Sequence, residues 1–287
     1  MGALNMNMNM NMNMNMNAPS ASGASTRVRF NTADFRKLIP NQTPPLGVPS
    51  PLPTYPQNWD ADLRTYFYLN EFIETYHDPS KHVAGTTQPP DFSWFWRLLP
   101  RAGTPPTLAT IDAELMVMLN MAPDREDRFL EIIDQHDAEG AIGYFLGMLM
   151  IDPSHYPNTY LLIRAARRIG ELASMCLKGY FMFPRPSQVC PAIVPMIDPP
   201  MTPSFPAGHA IQARLIALCL EDLRPGNTQR TALLDYLARR IADNRVIAGL
   251  HYPIDITAGF AVADECHVML AACPEFAKLI TLAKGEA

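Results

Sequence analysis

The sequence predicts an all-α fold, a helical bundle with no significant sheet. Three observations carry that expectation. Apolar residues recur at helical spacing in successive segments from Trp59 onward. The breaks between those segments hold proline, glycine or capping residues, and no segment has the short β-branched character of a strand bounded by turns. The 287 residues are 48% hydrophobic and 18% charged, which is enough apolar surface for a substantial core. A formal charge of -5 gives no global attraction to nucleic acid or to an anionic membrane, so any anion-binding role has to come from a local cluster.

Taken in order, the chain opens with uninterrupted Asn-Met alternation over residues 5–17. Asparagine is a poor strand former, so residues 1–26 are expected to be a disordered low-complexity tail. Residues 27–59 carry Pro40, Pro44, Pro45, Pro49, Pro51, Pro53 and Pro56, each removing a backbone donor, and should form an extended arm. An all-helical domain is expected over 60–287. Its first helix lies in WDADLRTYFYLNEFIETYH, with Asp60 or Asp62 near its start. Aromatics of the segment DFSWFWRLLP, residues 91–100, should pack into the core, a lid or peripheral membrane contact being the alternative.

Further helices are expected over 107–121, 124–137, 139–151 and 157–180. The apolar run over 140–151 is too short for a membrane span of about 20 residues, is closed by Asp152-Pro153, and reads as a buried core helix. Beyond Gly208, AIQARLIALCLEDL stops at Pro225-Gly226, followed by TQRTALLDYLARRIADNRVIAGL and PIDITAGFAVADECHVMLAA. The bundle should hold about seven to nine helices. Five cysteines, Cys176, Cys190, Cys219, Cys266 and Cys273, form no CxxC pair and are expected to be reduced core residues. With no secretory n-region and no transmembrane segment in view, the expected location is cytoplasmic and the protein soluble; a homo-oligomer is compatible with the sequence.

Three stretches carry chemistry. KGYFMFPRP places Lys178 and Arg185 on either side of six residues. TPSFPAGHA runs straight into an apolar helix, so Gly208 and His209 stand at a helix start, where unpaired N–H groups and the dipole favour an anion. NRVIAGLHYPID holds Arg245, His251 and Asp255. Pro253 suits the first turn of a helix, which puts Asp255 about one turn from His251, able to hold one ring nitrogen and free the other. Three cations, two histidines, one carboxylate and a helix N-terminus are the parts needed to hold and transfer a phosphoryl group.

In this order the stretches resemble the signature of the type 2 phosphatidic acid phosphatase (PAP2) and vanadium haloperoxidase superfamily: K-x6-RP at 178–186, PSGH at 206–209 and SR-x5-H-x3-D at 244–255. Between them lie 19 residues from Pro186 to Pro206 and 34 from His209 to Asn244, and the resemblance extends over 178–259. It implies an all-α bundle in which Lys178, Arg185, Arg245 and the Gly208 amide bind phosphoryl oxygens. His251 would be the nucleophile, Asp255 its orienting partner, and His209 the group that protonates the leaving alkoxide and then activates water. Ala207 and Asn244 replace family serines; the first loss removes a hydroxyl donor to the oxyanion, at about 1–3 kcal/mol.

The implied activity is a soluble, acid-phosphatase-like phosphomonoesterase that acts through a phosphohistidine on a small phosphorylated substrate, without metal, cofactor or nucleic acid. Because His209 must be protonated and His251 neutral, its optimum should be acidic to neutral. The same residues would serve a vanadate-dependent haloperoxidase, His251 then ligating vanadate. A relic that only binds phosphate is the third reading. The short chain and the GLHYPID context rank the phosphatase first.

Overall fold

A computed structural model describes residues 60–76, 93–107 and 109–286. The Asn/Met tail and the proline-rich arm lie outside the described residues. The chain divides into two units, Met1–Leu63 and Arg64–Ala287, and the second holds all three motifs.

The described residues form helices α1 (Ala61–Thr75), α2 (Ser93–Ala102), α3 (Ile111–Met121), α4 (Arg125–Asp134) and α5 (Ala138–Leu149). They continue with α6 (Pro157–Phe181), a single turn α7 (Pro186–Val189), α8 (Gly208–Glu221), α9 (Thr228–Ile247), α10 (Pro253–Leu270) and α11 (Pro274–Lys284). No strand occurs among them. The boundaries follow local chemistry. Asp60 Oδ1 accepts the Asp62 N–H at 2.8 Å, and Asp137 and Asn227 cap α5 and α9 through Gly140 and Arg230. Pro157, Pro253 and Pro274 occupy first turns, where a missing donor costs nothing.

α6 is the central helix, and between Leu161 and Gly170 it is buried on every side. α8 packs on α6, α9 and α10, so four helices form the core. Because α6 and α9 end where α8 and α10 begin, all motif residues collect at one end of this core.

Three expectations change. The 140–151 run is amphipathic rather than wholly buried: Ala141, Ile142 and Phe145 face the core while Gly143 and Gly147 are exposed. The helix expected over 124–137 stops at Asp134, since Asp137 is taken by the cap of α5. The segment at 93–102 is itself a helix, in which Trp94, Phe95 and Leu98 are buried as expected and Trp96 is exposed. Glu265 of α10 binds Arg97 and, at 2.9 Å, Arg101, which fastens α2 to the core. Cys219, Cys266 and Cys273 are buried and all five cysteines are free. Among the described residues no single helix is long and apolar enough to cross a membrane; α10 and α11 pass that test only as a pair, bent by 94°.

Candidate active site

Each motif delivers its side chain through the element it ends or begins. Lys178 stands in the last turn of α6, buried, with Nζ donating to the carbonyls of Pro203 and, at 2.8 Å, Ser204. Arg185, just before α7, donates from Nε to Thr202 O at 2.9 Å and from a terminal nitrogen to Leu250 O at 2.9 Å. Arg245, in the last turn of α9, donates to Gln135 O at 2.9 Å and Ile132 O at 3.2 Å, while its Nε has no partner. The three cations are therefore anchored on main-chain oxygens, which fixes their direction and leaves further N–H groups for an anion.

His251 follows a turn in which Gly249 has φ +81°, a backbone that L side chains rarely adopt; a Cβ there would also meet Pro195 Cα at 3.3 Å. The His251 ring donates from Nδ1 to Asp255 Oδ2 at 2.9 Å, which leaves Nε2 as the lone-pair nitrogen, 3.4 Å from an Arg185 terminal nitrogen. Asp255 Oδ2 also accepts the Tyr252 N–H at 3.1 Å and the Ser204 hydroxyl at 2.5 Å. The Ala207 N–H donates to Asp255 O at 3.0 Å, joining the second motif to the third.

Gly208 opens α8 against α6. A Cβ on Gly208 would lie 2.9 Å from Ser174 Oγ, so glycine is what allows this approach. Ser174 is one turn before Lys178 on the same face of α6. His209, the second residue of α8, has a buried Nε2 without a hydrogen-bond partner. Ala207 is fully buried among Ile111, Met118, Tyr252 and Ile256. Asn244 turns away from the motif cluster: its amide donates to Gln135 Oε1 at 2.9 Å and Glu131 Oε2 at 3.1 Å and accepts from Arg128 at 3.1 Å.

Burial and like charge set the protonation states. Burial, then Arg185, pulls Lys178 down to about 7, with Asp255 opposing. Burial lowers Arg185 and Arg245 to about 10. His251 is driven well below its usual value by burial and then by Lys178, Arg185, His209 and Arg245; these outweigh Asp255, and the ring is neutral. Burial raises Asp255 to about 7 against Ser204 and Lys178. Burial and then Arg245 push His209 down to about 3, against the protonated His209 that the sequence reading required. Burial is the common cause, and like charge adds to it at Lys178, His209 and His251.

The structure thus gathers Lys178, Arg185, Gly208, His209, Arg245, His251 and Asp255 at one end of the core. Sequence reasoning missed Ser204, Thr202, Ser174 and Gln135. Ser204 and Thr202 stand inside TPSFPAGHA, and a hydroxyl beside a buried His-Asp pair was the available signal. Gln135 had none, lying 110 residues from Arg245.

The fold and this arrangement are those of a helical bundle that gathers two histidines, a carboxylate and three cations at one end. Residues 159–275 match the family model described as the PAP2 superfamily. It is 28% identical over 144 residues to a non-specific acid phosphatase of Salmonella typhi, covering 47% of this chain and 55% of the relative. It is 27% identical over 129 residues to a decaprenylphosphoryl-5-phosphoribose phosphatase of Mycobacterium tuberculosis, covering 44% of this chain and 69% of that one. The aligned region spans about half the length of the acid phosphatase. A transmembrane PAP2 type phosphatidylglycerolphosphate phosphatase from Bacillus subtilis aligns with a TM-score of 0.46 at 18% identity, over 64% of this chain and 94% of that one.

Proposed function

We propose that the helical unit is a metal-independent phosphomonoesterase acting on small phosphate esters through a phosphohistidine. The observation that carries this reading is the 2.9 Å contact from His251 Nδ1 to Asp255, which aims an unprotonated Nε2 into the cluster of Lys178, Arg185 and Arg245. Relatives named as non-specific acid phosphatases support a small soluble ester as substrate.

Lys178, Arg185, Arg245 and the first N–H groups of α8 hold the phosphoryl oxygens and offset the charge that develops on them. Nε2 of His251 attacks phosphorus, the ester P–O bond breaks, and the leaving alkoxide takes a proton from His209. Asp255 stabilises the charged imidazole. Water then loses a proton to His209 as its oxygen attacks the phosphohistidine, releasing inorganic phosphate and restoring neutral His251. Burial, and after it the Arg245 charge, holds His209 near 3, and the ester dianion favours its acid form by offsetting that charge. Activity is therefore greatest close to neutrality, where His209 still gains its proton and Asp255, raised to about 7, is still a carboxylate.

Hydrolysis of p-nitrophenyl phosphate across pH tests the assignment. His251→Ala should lower kcat on the order of 10³-fold or more with the fold intact by circular dichroism. Undiminished turnover in that variant, or halide oxidation with vanadate and peroxide in a preparation that hydrolyses no ester, would overturn it.

A further inference from the structure

At the other end of the core lies a cavity of about 330 Å³ that no motif touches. Leu149, Ile151 and Leu223 form an apolar wall, and Arg224 and Arg230 line the rest with Tyr156 and Asn227. Thr159, also in its lining, lies 19 residues before Lys178 on the unbroken helix α6, about 28 Å away at 1.5 Å per residue. Arg230 and Arg245 are separated by 15 residues of α9, about 22 Å. The cavity is thus separate from the site of the three motifs.

Its charge is what distinguishes it. Several arginines of the core have carboxylates, Arg164 with Glu139 at 2.8 Å, Arg214 with Asp264 at 2.9 Å and Arg240 with Glu131 at 2.8 Å, whereas half-buried Arg125 has the Ile247 carbonyl at 2.9 Å. Exposed Arg224 and half-buried Arg230 have no carboxylate among the described residues, and the Arg230 Nε is buried without a partner. The two guanidiniums are close enough that Arg224, after burial, lowers the pKa of Arg230. Glu286, beside Thr159, forms no ion pair with either arginine; its oxygens accept from the Asn158 and Thr159 N–H groups, each at 2.8 Å, and from both side chains. Asn227 accepts the Arg230 N–H through Oδ1, which leaves its amide NH₂ as a further donor.

We propose that this cavity binds a small organic dianion, a phosphoryl group carrying a short apolar substituent. Two guanidiniums and the Asn227 amide hold the phosphoryl oxygens, and the apolar substituent lies against Leu149, Ile151 and Leu223. Two uncompensated cations call for a divalent anion, charge-assisted bonds from arginine are the strong ones, and the cavity volume falls in the range of small-ligand sites.

The probe is phenylphosphonate, which has both halves and cannot be hydrolysed as an ester. Calorimetric titration of the full chain should show two sites. Arg224→Ala/Arg230→Ala should weaken one of them at least tenfold while p-nitrophenyl phosphate hydrolysis stays within twofold of the parent protein. The same pair of changes made in an Arg185→Ala background, where the motif site is disabled, should remove the remaining binding; this arm stands even if the phosphatase assignment fails. Circular dichroism and thermal melting establish that each variant is folded. Binding unchanged by loss of both arginines, in the parent protein and in the Arg185→Ala background alike, would overturn the proposal.

Discussion

Gly208 shows how narrowly a single residue constrains this site. Its missing side chain lets α8 begin against Ser174, with Ser174 Oγ 2.9 Å and Cβ 3.7 Å from where a Cβ would stand. Gly208→Ala should cost about 1–3 kcal/mol through overpacking. Because the Cβ contact alone is ordinary, adding Ser174→Ala should recover most of that loss in urea unfolding; equal midpoints for the single and double variants would refute the contact. Ser204 acts differently, giving the carboxylate of Asp255 one of its hydrogen bonds at 2.5 Å. Ser204→Ala should lower kcat by about tenfold or more, in keeping with about 1–3 kcal/mol for a buried acceptor losing its donor. KM should change little, since the hydroxyl orients the His251-Asp255 pair, and steady-state kinetics separate the two effects.

Among elements, the junction of α4 and α5 has the largest effect outside the motifs. Gln135, fully buried, gives its carbonyl to Arg245 and its side-chain oxygen to Asn244. Asn244 spans from α9 to α4, so the residue before Arg245 fastens the helix that aims Arg245. Asn244→Ala leaves acceptors on Gln135 and Glu131 without this donor. It should lower stability by about 1–3 kcal/mol and raise KM more than it lowers kcat, as the anchor of Arg245 loosens. Thermal melting and Michaelis kinetics check both parts, and an unchanged KM would mean that the junction does not position Arg245.

For the molecule as a whole, the governing quantity is the burial of ionisable groups at the motif end. Burial raises Asp255 to about 7, so its contribution to stability is full below its unfolded value of about 3.9 and is lost as pH rises through 7. Lys178 is depressed to about 7, so its contribution is present above about 10.4 and is lost as pH falls through 7. Both leave the anion-free protein least stabilised near neutrality. Asp255→Asn should therefore flatten the decline in Tm between pH 4 and 7. Vanadate at 100 times its Kd should add about 2.7 kcal/mol. Parallel Tm profiles for the two proteins over that range would contradict the assigned direction.

The all-α class, the order of the helices and the pairing of His251 with Asp255 were all legible in the chain, because helical periodicity, caps and an i to i+4 contact are local. The three motifs and their spacing named the cationic residues for the same reason. Which oxygens anchor those cations, the service of Ser204 to Asp255, the reach of Gln135 to Arg245 and the low pKa of His209 were decided only by tertiary structure. Each depends on burial or on contacts between distant segments, such as the 110 residues separating Gln135 from Arg245. Desolvation and through-space charge have no signature in local sequence, and together they lower the pKa of His209.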